Sequence, residues 1–251
     1  SGIVNGINMA LFDPEENPNL AEHYSIKTMR EGKTANKLAL QQRLGLPEDK
    51  DTALLVMVTM MTYFSLSVMA PLYFEEAAGL AASAAGVLMV APVLANAAAS
   101  VLSGRALDRW GEWPLLPTGL AIAVAGLGIT IAGALAGSVV AATAGIFFGY
   151  LGTGMVLSPA QTAGLRRLPD ELDSHGVTLM SMAVQLSACL GPAAYIGIMS
   201  SATAAAAAAG VPAAQASAEG FAGAMIAALV VAAAGLVTAV FYARFTKSRP
   251  L

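Results

Sequence analysis

Charge is scarce in this chain. Of its 251 residues 12% are Asp, Glu, Lys or Arg and 57% are hydrophobic, whereas soluble domains carry about 25% charged residues. A soluble domain of this size needs more charge than that to cover its surface, and the mean hydropathy of +0.67 points the same way. Cysteine is nearly absent too. Cys189 stands alone, which excludes an internal disulfide framework and a multi-cysteine metal site. A net charge of −3 gives no electrostatic reason to expect nucleic acid as a partner. With disordered, collagen-like and coiled-coil compositions also excluded, the class that remains is a membrane protein.

The charge that is present is unevenly placed. Residues 1–51 hold eight acids and six bases, an ordinary soluble composition, while residues 52–251 hold eight acids and seven bases gathered into a few clusters between apolar runs. A membrane-spanning helix needs about 20 mostly apolar residues, so the gaps between clusters are read as spans. They fall at 53–74, 83–103, 115–135, 139–160, 177–200 and 220–243, with Ala136, Gly137 and Ser138 marking a tight turn inside the 53 uncharged residues that separate Glu112 from Arg166. The expected fold is an all-α membrane protein of six transmembrane helices over 53–251, preceded by a short soluble loop-helix segment over 1–52 that is not an independent fold.

Orientation comes from a second absence. With the chain entering from the cytoplasm, the outer segments (75–82, around 137, and 201–219) carry no Lys or Arg, only Glu75, Glu76 and Glu219. All seven bases of the apolar part (Arg105, Arg109, Arg166, Arg167, Arg244, Lys247 and Arg249) fall on inner segments. Cytoplasmic loops are enriched in Lys and Arg, so both ends of this part are expected in the cytoplasm. No Asp, Glu, Lys, Arg or His falls within the six spans as drawn. Since such residues are the usual sites of proton coupling, coupling groups are expected to lie outside this chain.

The loop between the second and third spans reads Ser103-Gly104-Arg105-Ala106-Leu107-Asp108-Arg109-Trp110-Gly111. Glycines at both ends allow a tight turn, and Asp108 and Arg109 can pair with charges or helix ends. This pattern, G-x-x-x-D-R-x-G, resembles the signature loop of the major facilitator superfamily. PLYFEEAAGLAASAAGVLMVAP at 71–92, GTGMVLSPAQTAGLRRLPDEL at 152–172, and the span holding Gln185 and Gly191 are similar to the last six helices of its drug:proton antiporters. The resemblance covers about 63–251 and implies the carboxyl-terminal half of a secondary transporter built as a 3+3 inverted repeat. It implies drug or small-molecule efflux, in a bacterial plasma membrane. The implied partners are the lipid bilayer and either a missing amino-terminal half or a second copy. Two positions depart from the family: Glu112 and Trp113 stand where bases usually follow the loop, and Val184 stands where a base often precedes the glutamine.

The polar residues within the spans that could line a cavity are Asn96, Gln161 and Gln185 with Tyr63, Tyr150 and Tyr195. For each singly, an interhelical hydrogen bond, worth about 0.6 kcal/mol in a bilayer, is favoured over a substrate contact. Gly145, Gly149, Gly152 and Gly154 read as small-residue helix packing, Pro92, Pro159 and Pro192 as kinks, Cys189 as a buried packing residue, and the Ala-rich 203–219 as an outer loop or short surface helix. No catalytic set, metal site or cofactor is expected.

The first part has turn residues at Asp13-Pro14 and Asn17-Pro18, then a helix at about 33–44 stopped by Gly45 and Pro47. Its strings G-I-V-N-G-I-N with F-D-P, and G-K-x-x-N-K-x-x-L-Q-x-x-L-G-L-P, resemble bacterial glycogen synthase at the start of its second Rossmann-like domain, over about residues 2–62. Met60, Phe64 and Ser65 stand where that family has nucleotide-sugar-binding Arg, Gln and Lys. The resemblance therefore implies a fragment without its chemistry; a membrane-tethered glycosyltransferase is the alternative. The chain opens on Ser1 without a signal peptide and is expected to be a piece, joined near residue 52 by fusion or by an assembly artefact.

Overall fold

The computed structural model describes the backbone of residues 52–165 and 173–247, together with positions scattered between 15 and 39. The chain divides into two compact units, Ser1–Lys50 and Asp51–Leu251. Among the described residues of the first unit, helix is present at Met29, Glu31–Lys33, Ala35, Asn36 and Ala39. It starts earlier than the expected residue 33 because Thr28 turns the chain into it. The Ser25 amide donates to Thr28 Oγ1 at 3.1 Å, and the Gly32 amide donates to the Thr28 carbonyl at 3.0 Å. Asn36 then braces the preceding loop, its Oδ1 accepting from the Glu22 amide at 3.0 Å. The remainder of the expected helix, including Leu38, Leu40 and Leu44, lies outside the described residues.

The described residues of the second unit form helices joined by short turns: α1 (Thr52–Leu72), continued by one π turn (Tyr73–Ala77), α2 (Ala82–Trp110), α3 (Glu112–Leu135), α4 (Val139–Leu165), α5 (Asp173–Ala208) and α6 (Ala213–Lys247). Each contains a segment long and apolar enough to cross a membrane. Helix is what such segments must form, because a lipid-exposed backbone has no water to satisfy its amides and carbonyls and must close its bonds internally. Each described turn between helices carries one glycine at positive φ: Gly79 at 67°, Gly111 at 75°, Gly137 at 65° and Gly210 at 83°.

The helices overrun the expected spans. Residues 103–110 are the last two turns of α2, not a loop; only Gly111 breaks the helix, its amide bonding back to the Leu107 carbonyl at 2.9 Å. The Ala-rich 203–219 is likewise helical on both sides of a short turn, because alanine has the highest helix propensity and nothing interrupts the run before Gly210 and Pro212. As a consequence Glu75, Glu76, Arg105, Asp108, Arg109 and Glu219 are not outside the helices but in their terminal turns.

The packing has a two-fold logic. Beyond the weakest contacts, α1 meets α2, α4, α5 and α6; α4 meets α2, α3 and α5; α3 meets α2 and α6; and α5 meets α6. Exchanging the first three helices with the last three maps this set onto itself, as a 3+3 repeat requires. The least covered helices, α2 and α5, are exchanged by the same operation. The rest of the unit covers 17% and 28% of their most apolar segments, against 56% for α1 and 50% for α4.

The tightest seam joins α3 and α4. Gly119, Ala123, Gly126, Thr130 and Gly133 run along α3 at alternating spacings of four and three, all buried, and face Val156, Gly152, Gly149, Gly145 and Ala142 in antiparallel register. A Cβ on Gly126 would lie 2.7 Å from the Gly145 carbonyl oxygen, and one on Gly152 would lie 2.5 Å from that of Gly119. Substituting Gly126→Ala therefore forces the backbones apart and should cost about 1–3 kcal/mol. Gly128→Ala, where a Cβ meets nothing within 4 Å, should be neutral or stabilising by up to about 1 kcal/mol. Unfolding by SDS in mixed micelles measures both, and equal effects would contradict the seam.

Candidate functional site

The polar side chains singled out in the spans separate into two groups. Asn96 on α2 donates through Nδ2 to the Tyr150 carbonyl on α4 at 2.8 Å and to Thr153 Oγ1 at 3.3 Å. Tyr150 in turn meets Tyr63 on α1 edge to face, with ring centroids 5.1 Å apart, and Tyr63 meets Phe64 in the same manner at 5.4 Å. Asn96, Tyr63 and Tyr150 thus form one cluster where α1, α2 and α4 converge. Gln161 does not join it: it is half-buried three turns further along α4. Gln185 is exposed on α5.

Asn96 is held by close packing as well as by its hydrogen bonds. Gly154 sits against it, and a Cβ there would lie 2.5 Å from the Asn96 carbonyl oxygen. Gly154 therefore serves the α2/α4 contact, whereas Gly145 and Gly152 serve the α3/α4 seam. Gly149 serves that seam and also faces α1, where a Cβ would meet the Leu66 side chain at 3.0 Å. One residue short of Gly104, Ser103 continues the α2/α4 contact with a long bond to the Gly154 carbonyl at 3.5 Å. Gly104 itself lies inside α2 rather than at a turn.

The hydroxyls of Tyr150 and Tyr195 are buried without a hydrogen-bond partner among the described residues, with Ser67 on α1 a polar neighbour of Tyr150. Other buried hydroxyls are satisfied locally by the carbonyl one turn back. Thr62 bonds Val58 at 3.0 Å, Thr130 bonds Gly126 at 2.9 Å, Ser187 bonds Ala183 at 2.7 Å, and Ser65 bonds Met61. Serine and threonine in helices back-bond in this way, so these residues need no partner across the bundle.

Two positions differ from expectation. Cys189 is exposed, not buried, and it shares one face of α5 with the exposed Gln185, one turn away. Helix α5 is apolar on nearly all sides, so its periodicity does not say which face turns inward. Pro71, not singled out in the sequence, lies inside α1 two residues before the π turn. There the Ala78 amide reaches the Tyr73 carbonyl at 3.1 Å, and Tyr73 stacks on Phe221 of α6 at 4.6 Å. No group of three or more residues able to hold a metal ion occurs among the described residues.

Because the Tyr150 carbonyl also serves the helical ladder of α4, Asn96→Ala leaves no orphaned acceptor. The substitution should lower stability in SDS titration by about 0.6 kcal/mol. A loss of several kcal/mol would show that Asn96 does more than bridge α2 and α4.

A family model described as Major Facilitator Superfamily matches residues 1–192, running through the first unit and the first four helices into α5. The lincomycin resistance protein LmrB of Listeria monocytogenes is 31% identical over 147 residues, 59% of this chain and 31% of that protein. Two glycogen synthases match a shorter stretch. That of Exiguobacterium sibiricum is 55% identical over 53 residues, 21% of this chain and 11% of the enzyme. That of Streptococcus mutans is 52% identical over 62 residues, 25% of this chain and 13% of the enzyme. The chain thus spans about a third of the length of the resistance protein and about an eighth of the enzymes.

Proposed function

The chain belongs to the major facilitator superfamily, and from that we propose that its six-helix unit is one half of a secondary transporter that exports drug-like small molecules. The family match makes it a multi-pass membrane protein; the bacterial plasma membrane and cytoplasmic termini are part of the proposal, supported by the one-sided placement of its bases. The observation that carries the reading is the contact pattern, which survives exchange of helix triplets and leaves the related helices α2 and α5 uncovered. A second six-helix unit, either the remainder of a longer chain or another copy, would seat against those faces, with substrate held between the halves.

Within this half, Gln185 on the open face of α5 and the Tyr63–Tyr150 pair at the convergence of α1, α2 and α4 are the groups best placed to line a path. Asn96 and Gln161 are assigned more weakly, since Asn96 already spends its amide on α4. The charged residues Glu75, Glu76, Arg105, Asp108, Arg109 and Glu219 lie toward helix ends, leaving the middle of each described span without Asp, Glu, Lys, Arg or His. Proton coupling is therefore assigned to the partner half.

The first unit is inferred to be non-catalytic. It corresponds to about an eighth of a glycogen synthase, too little to build a two-domain active site or a complete core, and just beyond it, on α1 of the second unit, Met60, Phe64 and Ser65 stand in place of the polar groups such a site would need.

The proposal is tested by replacing the matching segment of the Listeria resistance protein with residues 53–251 and measuring lincomycin susceptibility in a sensitive host. The chimera should retain measurable resistance. Membrane insertion at the parent's level with no resistance at all would contradict it.

A further inference from the structure

A groove of about 430 Å³ lies between α2, the start of α3 and α4. Its lining is apolar except at one end. Leu102, Leu151 and Met155 form its walls, and Arg105, Arg109 and Trp110 stand at its mouth. The size falls within the range of about 300–1,000 Å³ typical of small-molecule sites, and the mostly apolar lining suits an acyl chain. Leu102 and Trp110 are 60% and 63% exposed, so the groove opens on the outer surface of this six-helix unit and not into the bundle.

The position of its mouth is set by helix length. At a rise of about 1.5 Å per residue, Arg105 and Arg109 lie roughly 35 and 41 Å along α2 from Ala82, just past a hydrocarbon layer about 30 Å thick. They are one turn apart, hence on one face of the helix, at the depth of phosphate groups. Trp110 has the residue type enriched at that boundary, and the Arg109 guanidinium sits 5.8 Å from its ring centroid. No hydrogen bond or ion pair joins either arginine to another described residue, while the adjacent Asp108 is already engaged.

We propose that this groove is a binding site for an anionic phospholipid, one acyl chain lying along Leu102, Leu151 and Met155 and the phosphate held by Arg105 and Arg109. Basic pockets between membrane helices on the cytoplasmic side bind such head groups, and each nearby arginine adds roughly a fivefold preference for an anionic lipid. The site does not depend on whether the chain transports anything.

The test uses the full chain with Trp113→Phe, which leaves Trp110 as the sole tryptophan. It is reconstituted in phosphatidylcholine vesicles containing dibrominated phosphatidylglycerol or dibrominated phosphatidylcholine, whose bromines quench a neighbouring indole. Quenching should show a preference of about five- to thirtyfold for the anionic lipid. The preference should fall to near unity in Arg105→Gln/Arg109→Gln and survive in Arg105→Lys/Arg109→Lys. Ala106→Leu, which keeps both charges but narrows the groove, should also reduce it, so the proposal stays testable if the glutamine variant does not insert. Equal quenching by the two lipids in the parent protein, or a preference unchanged by Ala106→Leu, would overturn the site.

Discussion

Everything in the six-helix unit depends on how helices associate where burying apolar surface gains nothing. Lipid tails are as apolar as leucine, so attraction between spans must come from close packing and from polar groups that bond across helices. The α3/α4 hairpin shows the first at its limit. Ten buried positions at alternating spacings of four and three bring backbone against backbone, eight of the ten being glycine or alanine and only Thr130 and Val156 being larger. Repeats of this spacing average 3.5 residues, the period that keeps one face of a helix turned toward its partner in a left-handed crossing. The Asn96 bridge from α2 to α4 shows the second, and it too relies on a glycine, Gly154, to let the strands of contact close.

From that hairpin the rest of the unit is assembled outward. Tyr150 and Ile146 on α4, Leu127 on α3, Leu66 and Met69 on α1, and Phe221 and Met225 on α6 share one buried cluster, and Val56, Leu116, Leu120 and Val156 share another. The related helices α2 and α5 contribute least to these cores. A bundle built in this way is closed around α1, α3, α4 and α6 and open at two equivalent faces, the arrangement a transporter half needs if a second half is to complete it. The lipid groove uses a different part of α2, its last turns, where the helix leaves the hydrocarbon and arginine and tryptophan replace valine and leucine.

Much of this was legible in the residues and some was not, for physical reasons. Gaps between charge clusters mark spans because a charge in hydrocarbon is costly, and Gly137 marks a turn because little else could sit between two apolar runs so closely joined. Helix ends were less legible. Residues 103–110 and 203–208 carry turn-like or low-complexity composition, yet they are helical because nothing in them breaks a helix before Gly111 and Gly210. Facing was the least legible. Gly145, Gly149 and Gly152 could be recognised as packing residues, but their partners Gly119, Gly126 and Gly133 follow only from the antiparallel register, although their seven-residue spacing was available as a signal. Cys189 and Gln185 lie on helix faces with apolar neighbours all round, so only the three-dimensional arrangement shows that they point away from the bundle.

The proposed orientation rests on six crossings that would put every base of the apolar part on one side of the membrane. Reporter fusions made after residues 79 and 210 measure this most directly, since these positions lie in the turns between α1 and α2 and between α5 and α6. Both should read as external, and a fusion after residue 111 as cytoplasmic. A cytoplasmic readout after 79 or 210 would contradict the number of crossings or their direction, and with it the assignment of the unit as a transporter half.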